Sequence, residues 1–252
     1  MELANIAIII PARYASTRFP GKPMVSILGK TMIERTYRQA LKATEYVVVA
    51  TDDERIYNEV TGFGGKVVMT KESHRNGTER CFEASGMLSE LFGRSFSAIV
   101  NVQGDEPYIN PESIKTVMQV ISRPETEIAT LVKRLKDTHH LNDPNTIKAV
   151  FTKNKRALYF SRSPIPFVRD TNPKEMLKDH RFFKHIGIYA YKLNILEQLV
   201  LLPETSLEMA EKLEQNRWLQ NGYGIFVEET EFESIAIDSK ADLVELLKKI
   251  KK

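Results

Sequence analysis

The stretch IAIIIPAR, at residues 6–13, decides the fold of this chain. Ile6 to Ile10 form a continuous apolar run, which is typical of a central parallel β-strand that is buried on both faces. The cationic side chain of Arg13 follows this run, and the ligands of parallel α/β sheets bind outside the carboxyl ends of the strands. The stretch therefore predicts an α/β protein with a ligand site at the end of its first strand.

Apolar runs and segments of helical periodicity alternate after this stretch. Runs that predict further strands lie at residues 46–50, 66–69 and 98–102, and helices are predicted between them, one of them at residues 78–91. Repeated strand–helix–strand units predict a mostly parallel sheet with helices on both faces. The residues directly after these strands are then further candidates for the site.

Residues 127–191 do not follow this alternation. Four strand-like runs succeed one another there without regular helices between them. We interpret the segment as a smaller antiparallel insertion within a single domain that spans residues 1–252. After it, the pattern predicts helices at residues 194–201 and 206–219, strands at 224–228 and 234–237, and a final amphipathic helix.

The composition is that of a globular protein and argues against several classes. The 252 residues are 42% hydrophobic and 27% charged with a net charge of +3, and so mild a basic excess argues against a nucleic-acid-binding protein. Cys81 is the single cysteine, so neither an intramolecular disulfide nor a cysteine-based zinc cluster can form. The N-terminal apolar run is too short to span a membrane and lacks signal-peptide features, so we expect a cytoplasmic protein.

The loop after the first strand, PARYASTRFPGKP at residues 11–23, carries three cations, Arg13, Arg18 and Lys22. Gly21 and the small residues of the loop allow backbone amides to approach an anion closely. Arginine and lysine side chains are the usual means of binding a triphosphate, although the loop lacks the Walker pattern. A solvent-exposed basic loop is the alternative, and the position after a central strand favours a triphosphate site.

Two acidic residues are candidate metal ligands. Asp105 lies in QGDEP at residues 103–107, directly after a predicted strand, and Asp238 follows the strand-like run at residues 234–237. Mg²⁺ prefers one or two carboxylates together with phosphate oxygens. Each aspartate could instead cap a helix or a turn, so a metal site requires both to converge beside the basic loop.

Two further polar groups are weaker candidates when each is considered alone. In RNGTER at residues 75–80, Thr78 predicts a helix cap, and the amides at the helix start could bind a base edge or a phosphate. His185 shares one face of its predicted strand with Tyr189, where a lone histidine is usually structural. Glu214 falls on a helical stripe with Glu211, which faces either a polar pocket or the edge of the core.

Taken together, these segments resemble the CMP-Kdo synthetase family, the 3-deoxy-manno-octulosonate cytidylyltransferases. The match runs in order over almost the whole chain, through IIPARYASTRFPGKP, VVVATDDERI, NGTER, VNVQGDEP, LYFSRSPIP, KHIGIYAY, LEMAEKLEQNRWLQNG and AIDSKADL. The first loop and QGDEP also occur in related cytidylyltransferases, whereas the segments around YFSR, HIGIY and LEQ are more particular to the Kdo enzymes. The resemblance implies an enzyme that transfers CMP from CTP to the anomeric hydroxyl of 3-deoxy-D-manno-octulosonate (Kdo), with Mg²⁺ as cofactor. The products would be pyrophosphate and CMP-Kdo for lipopolysaccharide synthesis.

The resemblance also implies a nucleotide-binding sheet, a homodimer supported by the insertion, and a role for each site residue. The triphosphate would be bound by Arg13, Arg18 and Lys22. The cytidine site would be lined by Asn76, Gly77, Arg80 and Gln103. Mg²⁺ would be ligated by Asp105 and Asp238, which would be catalytic together with Arg13 and Lys22. The sugar acid would be contacted by Arg162, His185, Tyr189, Glu214 and Gln215.

Two positions depart from the pattern of the family. The last motif is usually Asp-Thr-Pro-Glu-Asp-Leu, but here Asp238 is followed by Ser239-Lys240-Ala241-Asp242-Leu243. Asn76 stands where serine is common. The roles implied for Asp238 and Asn76 are therefore the ones that depend most on the arrangement of the folded chain.

Three alternative functions remain at this point. A cytidylyltransferase could act on another acidic sugar, such as sialic acid or an amino analogue of Kdo. A glycosyltransferase that consumes nucleotide sugars would need a metal-binding Asp-x-Asp after a strand, to which Asp52-Asp53 is the nearest approximation. A non-enzymatic nucleotide-sensing domain would not need the cations and acids that this chain retains.

Overall fold

The computed structural model describes residues 3–15, 19–172 and 175–250. Within them the strands are β1 (Ile6–Ala12), β2 (Ser26–Ile27), β3 (Lys30–Thr31), β4 (Val47–Thr51), β5 (Val67–Met69), β6 (Ala98–Asn101), β7 (Ile128–Arg134), β8 (Lys148–Phe151), β9 (Ala157–Ser161), β10 (Phe183–Lys192) and β11 (Ile225–Glu229). The helices are α1 (Met32–Ala40), α2 (Glu54–Gly62), α3 (Gly77–Ser85), α4 (Leu88–Phe92), α5 (Pro111–Ile121), α6 (Thr138–Asn142), α7 (Met176–Asp179), α8 (Leu193–Val200), α9 (Ser206–Glu211), α10 (Glu214–Gln220) and α11 (Lys240–Ile250). Within these ranges no helix has the length and apolar character needed to cross a membrane.

A nine-stranded sheet forms the centre of the fold, in the order β11-β7-β10-β6-β1-β4-β5 with β8 and β9 attached to β10. β1 pairs in parallel with β4 and β6, and β4 pairs in parallel with β5. The five residues from Ile6 to Ile10 are completely buried, as expected of a strand covered by helices on both faces. The α/β fold predicted from the sequence, with its mainly parallel sheet, is confirmed.

The antiparallel part of the sheet comes from residues 127–191, where we predicted an insertion. β10 runs antiparallel to its two neighbours β6 and β7, and the hairpin of β8 and β9 attaches to the first two residues of β10. β11 then pairs in parallel with β7. The two longest strands of this segment therefore lie inside the central sheet, and the β8–β9 hairpin extends beyond them.

The hydrophobic core lies on both faces of the sheet. On one face α1 and α5 pack against the strands through apolar side chains such as Ile33 and Val117. On the other face α3, α8 and α10 do so through Cys81, Leu196 and Trp218. Because helices cover both faces, the loops that follow the carboxyl ends of β1, β4 and β6 are left to form a pocket.

Two predicted helices are each divided in the structure. The helix predicted at residues 78–91 consists of α3 and α4. The helix predicted at residues 206–219 consists of α9 and α10, because Lys212 between them adopts a left-handed conformation with φ of 53°. The stripe that placed Glu211 and Glu214 on one helical face was therefore wrong, and the two carboxylates lie on different helices.

Residues 230–238 form an irregular segment, so the strand predicted at residues 234–237 was also wrong. Backbone hydrogen bonds attach the segment to β7 and to the loop that follows β6. The amide of Thr230 donates to Val132 O and that of Ile237 donates to Asp105 O, both over 2.9 Å. The second bond fixes Asp238 beside the loop that follows β6.

A capping box starts α11 directly after this segment. The Asp242 carboxylate accepts from the backbone amide of Ser239 over 2.7 Å, and the Ser239 hydroxyl accepts from the amide of Asp242 over 3.3 Å. Helix capping was the alternative role considered for Asp238. In the structure Ser239 and Asp242 cap α11 instead. The departure at Ser239-Lys240-Ala241 leaves the helix start well formed.

Candidate active site

Lys22 joins the two candidate metal ligands. It begins a short 3₁₀ turn after Gly21, whose φ of 71° favours glycine. Its Nζ lies 2.6 Å from Asp105 Oδ2 and 3.0 Å from Asp238 Oδ1. Burial alone would lower the pKa of Lys22, but the attraction of Asp105 and Asp238 outweighs it and raises the pKa. The lysine therefore stays protonated and holds two carboxylates around one positive charge.

A pocket of about 390 Å³ opens beside this ion-pair cluster. It is lined by Pro11, Ala12, Arg13, Ala15, Lys22, Pro23, Gly77, Arg80, Gln103, Gly104, Asp105 and Asp238. These residues come from the loops after β1 and β6, from the start of α3 and from the irregular segment. The structure thus brings together most of the residues predicted to bind the nucleotide and the metal. The exceptions are Asn76, which is not among the lining residues, and Arg18, which lies outside the described residues.

Two arginines add positive charge to the pocket beside Lys22. Arg80 is completely buried, and its guanidinium is held by the side chains of Asp52 and Thr70. Burial and the positive charge of Arg80 lower the pKa of Arg13, while Asp52 acts against them. Arg13 Nη2 and Arg80 Nε are buried and have no hydrogen-bond partner within the described part of the chain. Buried guanidinium donors of this kind suit an anionic ligand such as a phosphate.

Close backbone contacts around β1 require small residues. A Cβ atom on Gly104 would lie 2.9 Å from Pro11 O, and one on Gly77 would lie 3.2 Å from Pro11 Cγ. Both glycines therefore let the loop after β6 and the start of α3 approach the end of β1. This approach brings Gln103 and Arg13, which both line the pocket, to the carboxyl ends of the strands.

The start of α3 differs from the prediction. Asn76, not Thr78, caps the helix, because Asn76 Oδ1 accepts from the backbone amide of Glu79 over 2.9 Å. The Thr78 hydroxyl instead donates to Glu214 Oε2 over 2.8 Å. Asn76 Nδ2 donates to Glu214 Oε1 over 2.9 Å. The first turn of α3 is therefore tied to α10, where two predicted sugar contacts, Glu214 and Gln215, lie.

An aromatic cluster surrounds the predicted sugar contacts on β10. The rings of His185 and Tyr189 lie 5.2 Å apart, and Tyr189 lies 5.2 Å from Trp218 with the two rings nearly perpendicular. The Tyr189 hydroxyl is buried without a hydrogen-bond partner among the described residues. Burial and the negative charge of Glu214 raise the pKa of Tyr189. His185, Tyr189 and Glu214 thus belong to one neighbourhood next to the pocket.

His185 is neutral in this environment. Desolvation lowers its pKa to about 3. The Thr130 hydroxyl lies 2.7 Å from Ile188 O, which can only accept, and 2.9 Å from His185 Nε2. If the hydroxyl donates to the carbonyl, Nε2 of His185 must carry the proton and donate to Thr130. The neutral ring is therefore held in one tautomer.

We expect this neutral histidine to make the stability acid-sensitive. Between about pH 6.5 and pH 3 the unfolded chain binds a proton at His185 that the folded chain does not, so the free energy of unfolding should fall as the pH falls through that window. Replacing His185 by glutamine should reduce this loss by about 1–2 kcal/mol between pH 7 and pH 5. Thermal unfolding at both pH values measures the effect. The exposed His139 replaced by glutamine is the control, and identical pH dependence in wild type and His185→Gln would contradict the expectation.

Arg162, another predicted sugar contact, is bound to the end of α9 and to Pro144. Its Nε donates to Glu211 O over 2.7 Å, its Nη1 donates to Pro144 O over 2.9 Å, and its backbone amide donates to Glu211 Oε2 over 2.9 Å. Glu211 also accepts from the Ser161 hydroxyl over 2.6 Å. Arg162 therefore joins the end of β9 to the end of α9 in this structure.

Two acidic residues at these sites were not predicted from the sequence. Asp52 orients Arg80, and its neighbour Asp53 caps α2, so Asp52-Asp53 has structural partners rather than the arrangement of a metal-binding Asp-x-Asp. Glu211 binds Arg162. Asp52 follows β4 directly, and this position could have indicated a site residue. The contact between Glu211 and Arg162 could not be predicted, because the sequence pattern did not show that the helix breaks before α10.

Comparisons with known proteins show the family to which the chain belongs. A family model described as cytidylyltransferase matches residues 7–235. The 3-deoxy-manno-octulosonate cytidylyltransferase of Parabacteroides distasonis is 50% identical over 243 residues, which cover 95% of each chain. The enzyme of the same name from Geobacter sulfurreducens is 44% identical, and the match covers 98% of this chain and all of that protein. The similarity thus extends over nearly the full length of both relatives.

Solved structures agree with this result. A structure of CMP:2-keto-3-deoxy-manno-octonic acid synthetase complexed with CTP superimposes with a TM-score of 0.88 at 37% identity, over 98% of each chain. The 4-diphosphocytidyl-2C-methyl-D-erythritol synthase of Anaerococcus prevotii, at 13% identity and a TM-score of 0.63, shares the fold. The chain belongs to the cytidylyltransferase family and, within it, to the 3-deoxy-manno-octulosonate cytidylyltransferases.

Proposed function

We propose that this protein transfers CMP from CTP to the anomeric hydroxyl of Kdo, releasing pyrophosphate and forming CMP-Kdo for lipopolysaccharide synthesis. The observation that carries the proposal is the convergence of Asp105, Asp238 and Lys22 at the pocket that Arg13 and Arg80 line. The relatives and the CTP complex described above support the choice of both substrates. An enzyme for another acidic sugar, such as sialic acid or amino-Kdo, is the alternative.

The donor set of the pocket fits Mg²⁺. Asp105 and Asp238 supply carboxylate oxygens that already surround one cationic nitrogen, and Mg²⁺ prefers one or two carboxylates together with phosphate oxygens. We propose that these two residues hold the ion. When bound, it would neutralise charge on the triphosphate and polarise the α-phosphate.

The remaining residues of the site would bind and orient the two substrates. Arg13, Arg80 and Lys22 would hold the triphosphate, because all three line the pocket, two from the loop after β1 and one from α3. Gln103 and Gly77 would contact the cytidine. His185 and Tyr189 would position Kdo so that its anomeric hydroxyl attacks the α-phosphate in line with the departing pyrophosphate. Positioning and charge neutralisation supply most of the rate in reactions of this class.

Pyrophosphate release tests the proposed reaction directly. We expect rapid release with CTP and Kdo, weak release with UTP, and little with ATP or GTP, because a pyrimidine-sized pocket excludes purines more easily than uracil. The same assay with CTP and sialic acid or amino-Kdo tests the alternative. Equal rates with all four nucleotides would contradict a cytidylyltransferase, and a higher kcat/KM for another sugar would replace Kdo as the substrate.

We also propose that the protein acts as a homodimer. Within residues 127–191, Leu158 on β9 and Phe167 are 61% and 84% exposed, and an edge strand with large exposed apolar side chains favours association. A second copy of the chain would cover these side chains. We expect light scattering at micromolar concentration to give the mass of a dimer, and a monomeric mass would contradict the proposal. The proposal includes a cytoplasmic location, because CTP is a cytoplasmic metabolite.

A further inference from the structure

Asn76 uses both ends of its side-chain amide at the junction of two helices. Its Oδ1 accepts from the Glu79 amide at the start of α3, and its Nδ2 donates to Glu214 Oε1 at the start of α10, each over 2.9 Å. The roles of the two atoms are fixed, because the backbone amide of Glu79 can only donate, which assigns the oxygen to Glu79 and leaves the NH2 group to face Glu214. A single side chain therefore caps one helix and binds the other.

Glu214 has few other orientations available to it. Its two oxygens also accept from the Thr78 hydroxyl over 2.8 Å and from Arg217 Nη2 over 2.6 Å. Arg217 is almost fully buried, and its Nε lies 3.6 Å from Glu208. Two carboxylates thus share one buried guanidinium, and the Asn76 amide and the Thr78 hydroxyl add donors to Glu214 without adding charge.

The two helices joined in this way serve different parts of the site. α3 supplies Gly77 and Arg80 to the lining of the pocket, whereas α10 carries Glu214 and Gln215 next to the aromatic cluster of Tyr189. Asn76 itself does not line the pocket. An effect of Asn76 on a ligand is therefore indirect and has two routes, through Glu214 or through the start of α3.

We propose that Asn76 is a positioning residue, which orients the Glu214 carboxylate for binding of the sugar acid while the cap of α3 stays intact. The inference assigns Glu214 to the sugar side of the proposed active site, and it therefore rests on the proposed function. It predicts that loss of the amide donor weakens binding of Kdo much more than binding of CTP. A purely structural cap would give no such difference between the two substrates.

The substitution Asn76→Asp separates the two roles. Aspartate keeps the capping oxygen but removes the donor and places a carboxylate against Glu214. We expect KM for Kdo to rise on the order of tenfold or more, as for the loss of a hydrogen bond to a charged group, with KM for CTP changed less than threefold. The matched control is Asn110→Asp, because Asn110 also caps a helix: its Oδ1 accepts from the Glu112 amide at the start of α5 over 2.9 Å. That control should leave both KM values unchanged.

Coupling between the two residues completes the test. If Asn76 acts through Glu214, Asn76→Asp should cost much less in a Glu214→Gln background than in the wild type, both in KM for Kdo and in melting temperature. Asn76→Ser serves if the aspartate variant does not fold, because serine keeps a capping oxygen on a shorter side chain. Additive effects, or equal changes in both KM values, would overturn the inference. A wild-type protein without turnover would instead contradict the proposed function, and the coupling would still be measurable from the melting temperatures.

Discussion

Replacing Asp105 by asparagine is expected to lower kcat by on the order of 10²–10³, because one preorganised electrostatic contact at the reacting phosphate is lost. Asparagine keeps the shape of the side chain, so the chain should still fold. The backbone of Asp105 would still accept from Ile237, over 2.9 Å, which keeps the irregular segment attached. The measurement is kcat as a function of magnesium concentration, together with the melting temperature.

The partner Asp238 provides the decisive comparison. Asp238→Asn should behave like Asp105→Asn, and the double variant should lose less than the product of the two single losses, because both carboxylates act through one ion. Asp53→Asn is the matched control, since Asp53 also follows a parallel strand but caps α2. Near-normal turnover of Asp105→Asn at saturating magnesium would end the metal assignment.

Replacing Lys22 by methionine is expected to have the second large effect. The variant keeps the length of the side chain but leaves Asp105 and Asp238 facing each other without the ammonium that lies 2.6 Å and 3.0 Å from their oxygens. We expect a loss of about 10²-fold in kcat/KM, comparable to the removal of one charged contact to the transition state. The measurement is kcat/KM for CTP at fixed Kdo.

The stability of this variant offers a readout that does not need turnover. Two like charges held together are destabilising, so the melting temperature of Lys22→Met should fall without magnesium and recover when magnesium is added. The control is Lys30→Met, which removes an ion pair to Glu34 within an i,i+4 spacing and should lose little. A melting temperature that does not respond to magnesium would show that the two carboxylates do not bind the ion together.

The site residues that could be predicted from the sequence are those that directly follow the parallel strands. Ile6 to Ile10 and Ala98 to Val100 are short apolar runs of two parallel strands, so the residues that follow these strands were expected at one edge of the sheet. Arg13 and Asp105 follow these two runs, and both line the pocket. The rule holds because a helix between two strands returns the chain to the same end of the sheet, so that successive strands run in parallel.

The remaining part depends on contacts between distant segments, which have no local signal. Asp238 reaches the pocket because Ile237 bonds to Asp105 across the sheet edge, although residues 234–237 alternate like a strand. Glu211 binds Arg162 because Lys212 ends α9 in a left-handed conformation, which is rare for lysine. Helical periodicity continued through that position, so it predicted one helix with one polar face.

The position of β10 in the sheet has a consequence for the newly synthesised chain. β6 ends at residue 101, whereas the strand that covers its edge begins at residue 183. At roughly 5–20 residues per second, a ribosome needs several seconds to make the intervening segment. During that time the apolar residues Ala98 to Val100 present an unpaired edge, which is a template for pairing with another chain. Nascent chains that stall before residue 183 should therefore depend on chaperones to remain free of aggregates.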